Sequence, residues 1–304
     1  MPEVTLRQGT IHHRETAGDG PPVVFVHGFL VDHRLWGRVQ DELERRGVRS
    51  YAPDLPLGAH PHAMSAAHVP TPRGVARLLL DWLAAHDLTD VTLVGNDTGG
   101  AICQFALDTD PSRIGRVVLT NCDAFDRFPP PPFDAALKVA RLPGVLLAGL
   151  QAMRSGWMRD TALGFGVLTE RPLPRELTGT WVRPCLTDRG VRRDTVAFLR
   201  AVDARELLDV STRLHTFAGP VRLCWAPADR YFRVEDARRL RDAFADATLV
   251  EIPDSRTFVA LDQPQRLADE IAAFGATATA LTAAAAGPPA QAGSSSGAMA
   301  PAGM

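Results

Sequence analysis

The chain has 304 residues, 45% of them hydrophobic and 22% charged, with 33 basic against 35 acidic side chains and a net charge of −2. That balance belongs to a globular protein with a sizeable core, and it excludes electrostatic attraction to nucleic acid or to an anionic membrane. No apolar run is long enough to span a bilayer, and MPEVTLRQGTIHHRE at the N-terminus lacks a basic or apolar leader segment, so the expected location is the cytoplasm.

In chain order, VTLRQGTIHHRETAG reads as an antiparallel edge hairpin. PPVVFVHG (21–28), VRSYAPD (48–54), DVTLVGND (90–97), IGRVVLTN (114–121), PVRLCWA (220–226) and ATLVEIP (247–253) are short apolar runs rich in β-branched residues, hence buried strands. Helical patterns separate them: RLWGRVQDELERRG, TPRGVARLLLDWLAAHD, GGAICQFALDTD, VEDARRLRDAFAD and QPQRLADEIAAFG. Apolar strands alternating with amphipathic helices predict an α/β fold, a mostly parallel sheet covered by helices on both faces. The alternation breaks after Asp123, where FPPPPF precedes mostly helical segments. This predicts an inserted helical lid over 124–215, between core portions 1–123 and 216–274. Residues 275–304 are rich in Ala, Gly, Ser and Pro without periodic apolar spacing, and are expected to form a disordered tail.

Chemistry enters at LVGNDTGGA. Gly95, Asp97 and Gly99 stand between an apolar strand and a helix, the spacing of an elbow that thrusts a nucleophile above the sheet. An N-cap aspartate is the plainer alternative for Asp97. Asp229 follows the strand VRLCW, as either an active-site acid or a loop cap. The four cysteines (Cys103, Cys122, Cys185, Cys224) are too widely spaced for a zinc or redox pair, and Lys138 is the only lysine, which disfavours Schiff-base chemistry. No glycine-rich phosphate loop or dinucleotide fingerprint occurs; neither cofactor nor metal is expected. The arginines of TGTWVRPCLTDRGVRRDTVAFLRAVD are interspersed with acids and read as a solvated helix face rather than an anion site.

Over residues 1–274 the chain resembles the α/β-hydrolase superfamily. It is most similar to the branch with an aspartate nucleophile, the haloalkane dehalogenases, fluoroacetate dehalogenases and epoxide hydrolases. HGF, GNDTG, the lid, WxxxD and a final FxxxxQP pattern stand in family order. The resemblance implies Asp97 as nucleophile, Asp229 as the acid that orients a histidine, and the amides of Phe29 and Thr98 as an oxyanion hole; His27 is structural in such motifs. Three departures stand out. Aligning TFVALDQP on the family pattern places Thr257 at the histidine position, and no histidine follows His215. Thr98 replaces the tryptophan that usually follows the nucleophile. Neither Tyr51 nor Tyr231 lies in the lid, where epoxide hydrolases carry tyrosines.

The implied function is a cofactor-free hydrolase acting on a small apolar molecule of the epoxide or alkyl halide class, with its hydrolytic step impaired. His33 and His60, in strand-end loops, are the candidates for a relocated base. The alternatives are a lyase or isomerase in which Asp97 and Asp229 share a proton, and a silent ligand-binding protein. Six lid aromatics, Phe125, Phe128, Phe133, Trp157, Phe165 and Trp181, are candidate pocket residues.

Overall fold

The computed structural model of the protein describes residues 1–140 and 144–286. A single sheet runs in the order β1-β2-β4-β3-β5-β6-β7-β8. Its strands are β1 (Glu3–Leu6), β2 (Gly9–Thr16), β3 (Asp19–Val26), β4 (Val48–Pro53), β5 (Val91–Asp97), β6 (Ile114–Cys122), β7 (Val221–Trp225) and β8 (Ala247–Glu251). β1 and β2 form the antiparallel hairpin at one edge, and every pairing from β4 to β8 is parallel. The predicted strands therefore fall within a residue or two of the observed ones.

Strand side chains alternate between two apolar layers, as the two-residue period requires. Val24, Leu93, Val117 and Leu223 face one layer; Phe25, Val94, Val118 and Cys224 face the other. On the first face pack α2 (Pro72–Ala85), α3 (Thr98–Thr109) and α10 (Val234–Ala243); on the second pack α1 (Gly37–Arg45), the short α11 (Val259–Asp262) and α12 (Pro264–Ala286). All four cysteines are buried, free, and divided between these layers.

Between β6 and β7 the chain forms α4 (Phe133–Ala140), α5 (Val145–Ala152), α6 (Gly156–Arg159), α7 (Arg175–Thr187), α8 (Arg189–Ala201) and α9 (Ala204–Ser211). Helix α9 packs against α3, at the core. The expected tail calls for a correction: α12 continues to Ala286, past residue 275. Alanine carries the highest intrinsic helix propensity, so an alanine-rich run extends a helix already begun without needing an apolar face. The remainder of the expected tail, 287–304, lies outside the described residues. Among the described residues no helix is long and apolar enough to cross a membrane.

Candidate active site

β5 ends in a sharp turn. Asp97 has φ 54° and ψ −131°, and α3 begins at the next residue. A residue with a Cβ rarely adopts this backbone, and such strain persists only where the surroundings impose it. The Asp97 side chain makes no cap bond to its helix. Its Oδ2 instead accepts a hydrogen bond from the Phe29 amide at 3.0 Å, and the Thr98 amide faces the same carboxyl. Two glycines permit this approach. A Cβ on Gly28 would collide with the Asp97 carboxyl, and one on Gly99 with the carbonyls of Val26 and His27.

Asp97 and Thr98 form the floor of a cavity of about 650 Å³. The insertion supplies most of its wall, including Phe128, Phe133, Phe165 and Leu199, and the β7 loop adds Tyr231 and Phe232. Three of the six candidate aromatics thus line it. Of the others, Trp181 is buried with its Nε1–H donating to Asp32 Oδ1 at 3.0 Å, Phe125 lies under the Arg239 guanidinium, and Trp157 is exposed. Tyr231, which is outside the insertion in sequence, is tied to it: its hydroxyl donates to the Ala162 carbonyl at 2.6 Å.

Burial pushes the Asp97 carboxyl up to about 7, against the two amides that stabilise its charge and with help from the nearby charge of Asp229. Asp229 is positioned by Asn121 at the end of β6, whose Nδ2 donates to Asp229 Oδ2 at 2.9 Å while its Oδ1 accepts from the Ala226 amide at 2.7 Å. The Tyr231 amide donates to Asp229 Oδ1 at 2.7 Å. Burial raises the Asp229 pKa even so. Thr257 is buried in the loop after β8, and its carbonyl accepts from Asn96 Nδ2 at 2.7 Å. Its hydroxyl faces Asp229 and opposes that rise, yet sits in close hydrogen-bonding geometry with no group among the described residues.

A third carboxyl completes the cluster. Asp123, directly after β6, is buried, its amide donates to the Asp97 carbonyl at 3.3 Å, and its carboxyl faces the Thr98 side chain without close hydrogen-bond geometry to any group among the described residues. Burial and the charge of Asp97 hold its pKa well above the carboxylate range. The sequence reading missed Asp123, Asn96 and Asn121. The rule that pointed to Asp229, a polar residue at the carboxyl end of a parallel strand, applies equally to all three.

The two alternative bases are not brought to Asp97, and neither lines the cavity. His33 is buried with Nδ1 2.9 Å and 3.0 Å from the two Asp54 oxygens. His60 is buried with Nδ1 accepting from the Gly58 amide at 3.3 Å and Nε2 3.6 Å from Asp194. Both loops leave the sheet at its carboxyl edge, but buried carboxylates on neighbouring elements capture the rings. His12, His33 and Asp54 are the group among the described residues whose donor atoms converge enough for a metal ion, within 4.8 Å of one another. Asp54 is already engaged there, accepting from both imidazoles and from the His33 amide. His27 is structural: it is fully buried, Nε2 accepts from the Leu55 amide at 2.9 Å, and Nδ1 lies 2.9 Å from the Gly28 carbonyl.

The family model for the Alpha/beta hydrolase family matches residues 23–270. Among curated proteins, the chain is 32% identical over 133 residues to a haloalkane dehalogenase of Mycolicibacterium paratuberculosis, covering 43% of this chain and 44% of that protein. It is 30% identical over 105 residues to an epoxide hydrolase of Caballeronia sordidicola, covering 34% and 32%. These matches span less than half the length of either enzyme. A longer one, 28% identical over 289 residues, covers 89% of this chain and 81% of an uncharacterized protein of Mycobacterium tuberculosis. Among solved structures, the haloalkane dehalogenase DatA from Agrobacterium tumefaciens superposes with a TM-score of 0.72 at 21% identity, over 88% of this chain and 93% of that one. An alpha/beta hydrolase fold protein from Burkholderia ambifaria does so with a TM-score of 0.73 at 22% identity, over 89% and 96%.

Proposed function

Because the chain belongs to the alpha/beta hydrolase family, we propose that it is a cofactor-free enzyme in which Asp97 attacks an apolar epoxide or alkyl halide, with an impaired hydrolytic second step. One observation carries this reading: a strained turn presents Asp97 to an apolar cavity while the Phe29 amide holds its Oδ2. Oδ1 is then the attacking atom. It forms a C–O bond to an sp3 carbon, and the breaking bond leaves its electron pair on halide or on the epoxide oxygen, which takes up a proton. Tyr231 lines the cavity, but its hydroxyl donates to the Ala162 carbonyl, so on this reading that proton comes from water.

Releasing the resulting ester requires water to attack its carbonyl carbon, with negative charge growing on Oδ2 between the Phe29 and Thr98 amides. A base must deprotonate that water. We read Thr257 as standing where the aspartate-nucleophile branch carries its histidine; an alcohol cannot accept a proton near neutral pH, and no histidine lines the cavity. Losing general-base help costs about 10²–10⁴-fold in rate. On this reading, Asp97 is alkylated and stays alkylated for long periods.

A second reading draws on the raised carboxyls. Asp97 titrates at about 7, and Asp229 and Asp123 are also shifted upward, so the cluster holds exchangeable protons at neutral pH. Such a set supports proton shuttling in an isomerase or lyase.

Intact-mass measurement after incubation with 1-bromoalkanes and terminal epoxides separates the two. The expected result is a persistent adduct on Asp97 that is absent in Asp97→Asn and forms faster as pH rises through about 7. Thr257→His is expected to release the adduct and give multiple turnovers. Absence of any adduct, with rearranged rather than hydrated product, would reject the nucleophile reading in favour of the proton shuttle.

A further inference from the structure

Arg189, Arg193 and Arg200 of α8 are exposed and Arg192 is half-buried, the solvated face expected from the sequence. At 3.6 residues per turn, Arg189, Arg192, Arg193, Val196 and Arg200 fall on one side of the helix. The buried side carries Val191, Asp194, Thr195 and Phe198. The intervening acids are therefore turned away or occupied. Asp194 is fully buried and paired to Arg193 at 2.7 Å. Asp188 caps α8, accepting from the amides of Gly190 and Val191 at 2.7 Å and 2.9 Å.

Among the described residues, no carboxylate lies in ion-pair range of Arg189, Arg192 or Arg200, whereas Arg193 has Asp194. Arg192 is braced from behind, its Nη1 donating to the carbonyls of Cys185 and Leu186 at 3.2 Å and 3.0 Å, which leaves its other N–H groups available. These four arginines, with Val196 and with Leu146 of α5, line a groove of about 410 Å³.

The groove adjoins the cavity above Asp97. Leu146 lines both, and along α8 Leu199 faces the cavity while Arg200, the next residue, faces the groove. Val139, Val145 and Leu163 line the cavity and are exposed, so its open side includes α4 and α5, beside the groove. Guanidinium forks match phosphate oxygens bidentately, and an apolar cavity next to them accepts a chain or ring system.

We propose that the α5–α8 groove is an anion subsite for the phosphate or diphosphate group of a ligand whose apolar body fills the cavity. The site for the body rests on the cavity being the substrate site, as proposed above; the anion subsite is independent of any chemistry at Asp97.

Calorimetric titration with octyl phosphate, 1-octanol and inorganic pyrophosphate, at low and moderate salt, tests each part. Octyl phosphate is expected to bind at least about tenfold more tightly than 1-octanol, with affinity falling steeply as salt rises. The double variant Arg192→Gln/Arg200→Gln is expected to weaken octyl phosphate and pyrophosphate by about tenfold or more while leaving 1-octanol unchanged. Leu199→Trp, which fills the cavity, is expected to weaken both octyl compounds and spare pyrophosphate. Equal affinity for octyl phosphate and 1-octanol, or insensitivity to the arginine changes, would overturn the proposal. Pyrophosphate binding without octanol binding would instead reject the cavity as substrate site, and the bridging ligand with it. Sedimentation with phosphatidylglycerol vesicles that the double variant loses, without binding of soluble octyl phosphate, would assign the groove to a membrane surface and also overturn it.

Discussion

A carboxyl group on the floor of an apolar cavity favours its neutral form, and that preference has a measurable cost at Asp97. Between its ordinary value of 3.8 and its native value of about 7, the native state keeps the proton that the unfolded chain has released. The native state thus binds more protons in this window, and stability falls as pH rises through it, levelling off above about 7. Asp97→Asn keeps an acceptor for the Phe29 amide but cannot ionise. It is expected to match the wild type near pH 4 and to exceed it by about 4 kcal/mol at pH 8 in urea denaturation. Equal pH slopes for the two proteins would show that Asp97 is not desolvated in the folded state. Nearby, Asp123 and Thr257 are buried polar groups whose side chains face Thr98 and Asp229 without close hydrogen-bond geometry among the described residues, the kind of cost a fold keeps at a working site.

At the scale of elements, the turn carrying Asp97 is shaped by loops from the neighbouring strands. The loop after β3, which supplies the Phe29 amide, is fastened by Asp54 at the end of β4: its carboxylate accepts from the His33 amide at 2.8 Å and contacts the rings of His33 and of His12 on β2. Burial alone would raise the Asp54 pKa, but the two imidazoles outweigh it and hold the group well below the carboxylate range. Its contribution to stability is therefore present above the unfolded value and is lost as pH falls through the still lower native one. Asp54→Ala is expected to cost about 3–5 kcal/mol at neutral pH, since it strands two buried or half-buried rings and an amide. It should also slow adduct formation at Asp97 by loosening the Phe29 amide. A change below 1 kcal/mol in chemical denaturation would remove the fastening role.

For the whole molecule, the decisive property is that the sheet supplies a carboxyl and the insertion supplies an apolar wall. A cavity of about 650 Å³ is in the range that holds a drug-sized ligand. Affinity for neutral 1-alkanols is expected to rise with each methylene by about 0.8 kcal/mol until the space is filled, with a negative heat-capacity change on binding. Calorimetry on the alcohol series checks this; affinity independent of chain length would mean that the wall closes over a much smaller space.

The sequence by itself determined the order of strands and helices, the elbow at Asp97 and the loop positions of Asp229 and Thr257, because these depend on local periodicity, glycine placement and strand ends. It did not locate the partners that compete for a side chain. His33 and His60 share the carboxyl edge with Asp97 yet turn to Asp54 and Asp194; Asp123 joins the site only because β6 lies beside β5. Along α8, Asp194 turns inward and pairs with Arg193 while Asp188 caps the helix, so among the described residues Arg189, Arg192 and Arg200 have no carboxylate in ion-pair range. Which charges meet is settled by distances across elements far apart in the chain, and only the folded arrangement fixes those.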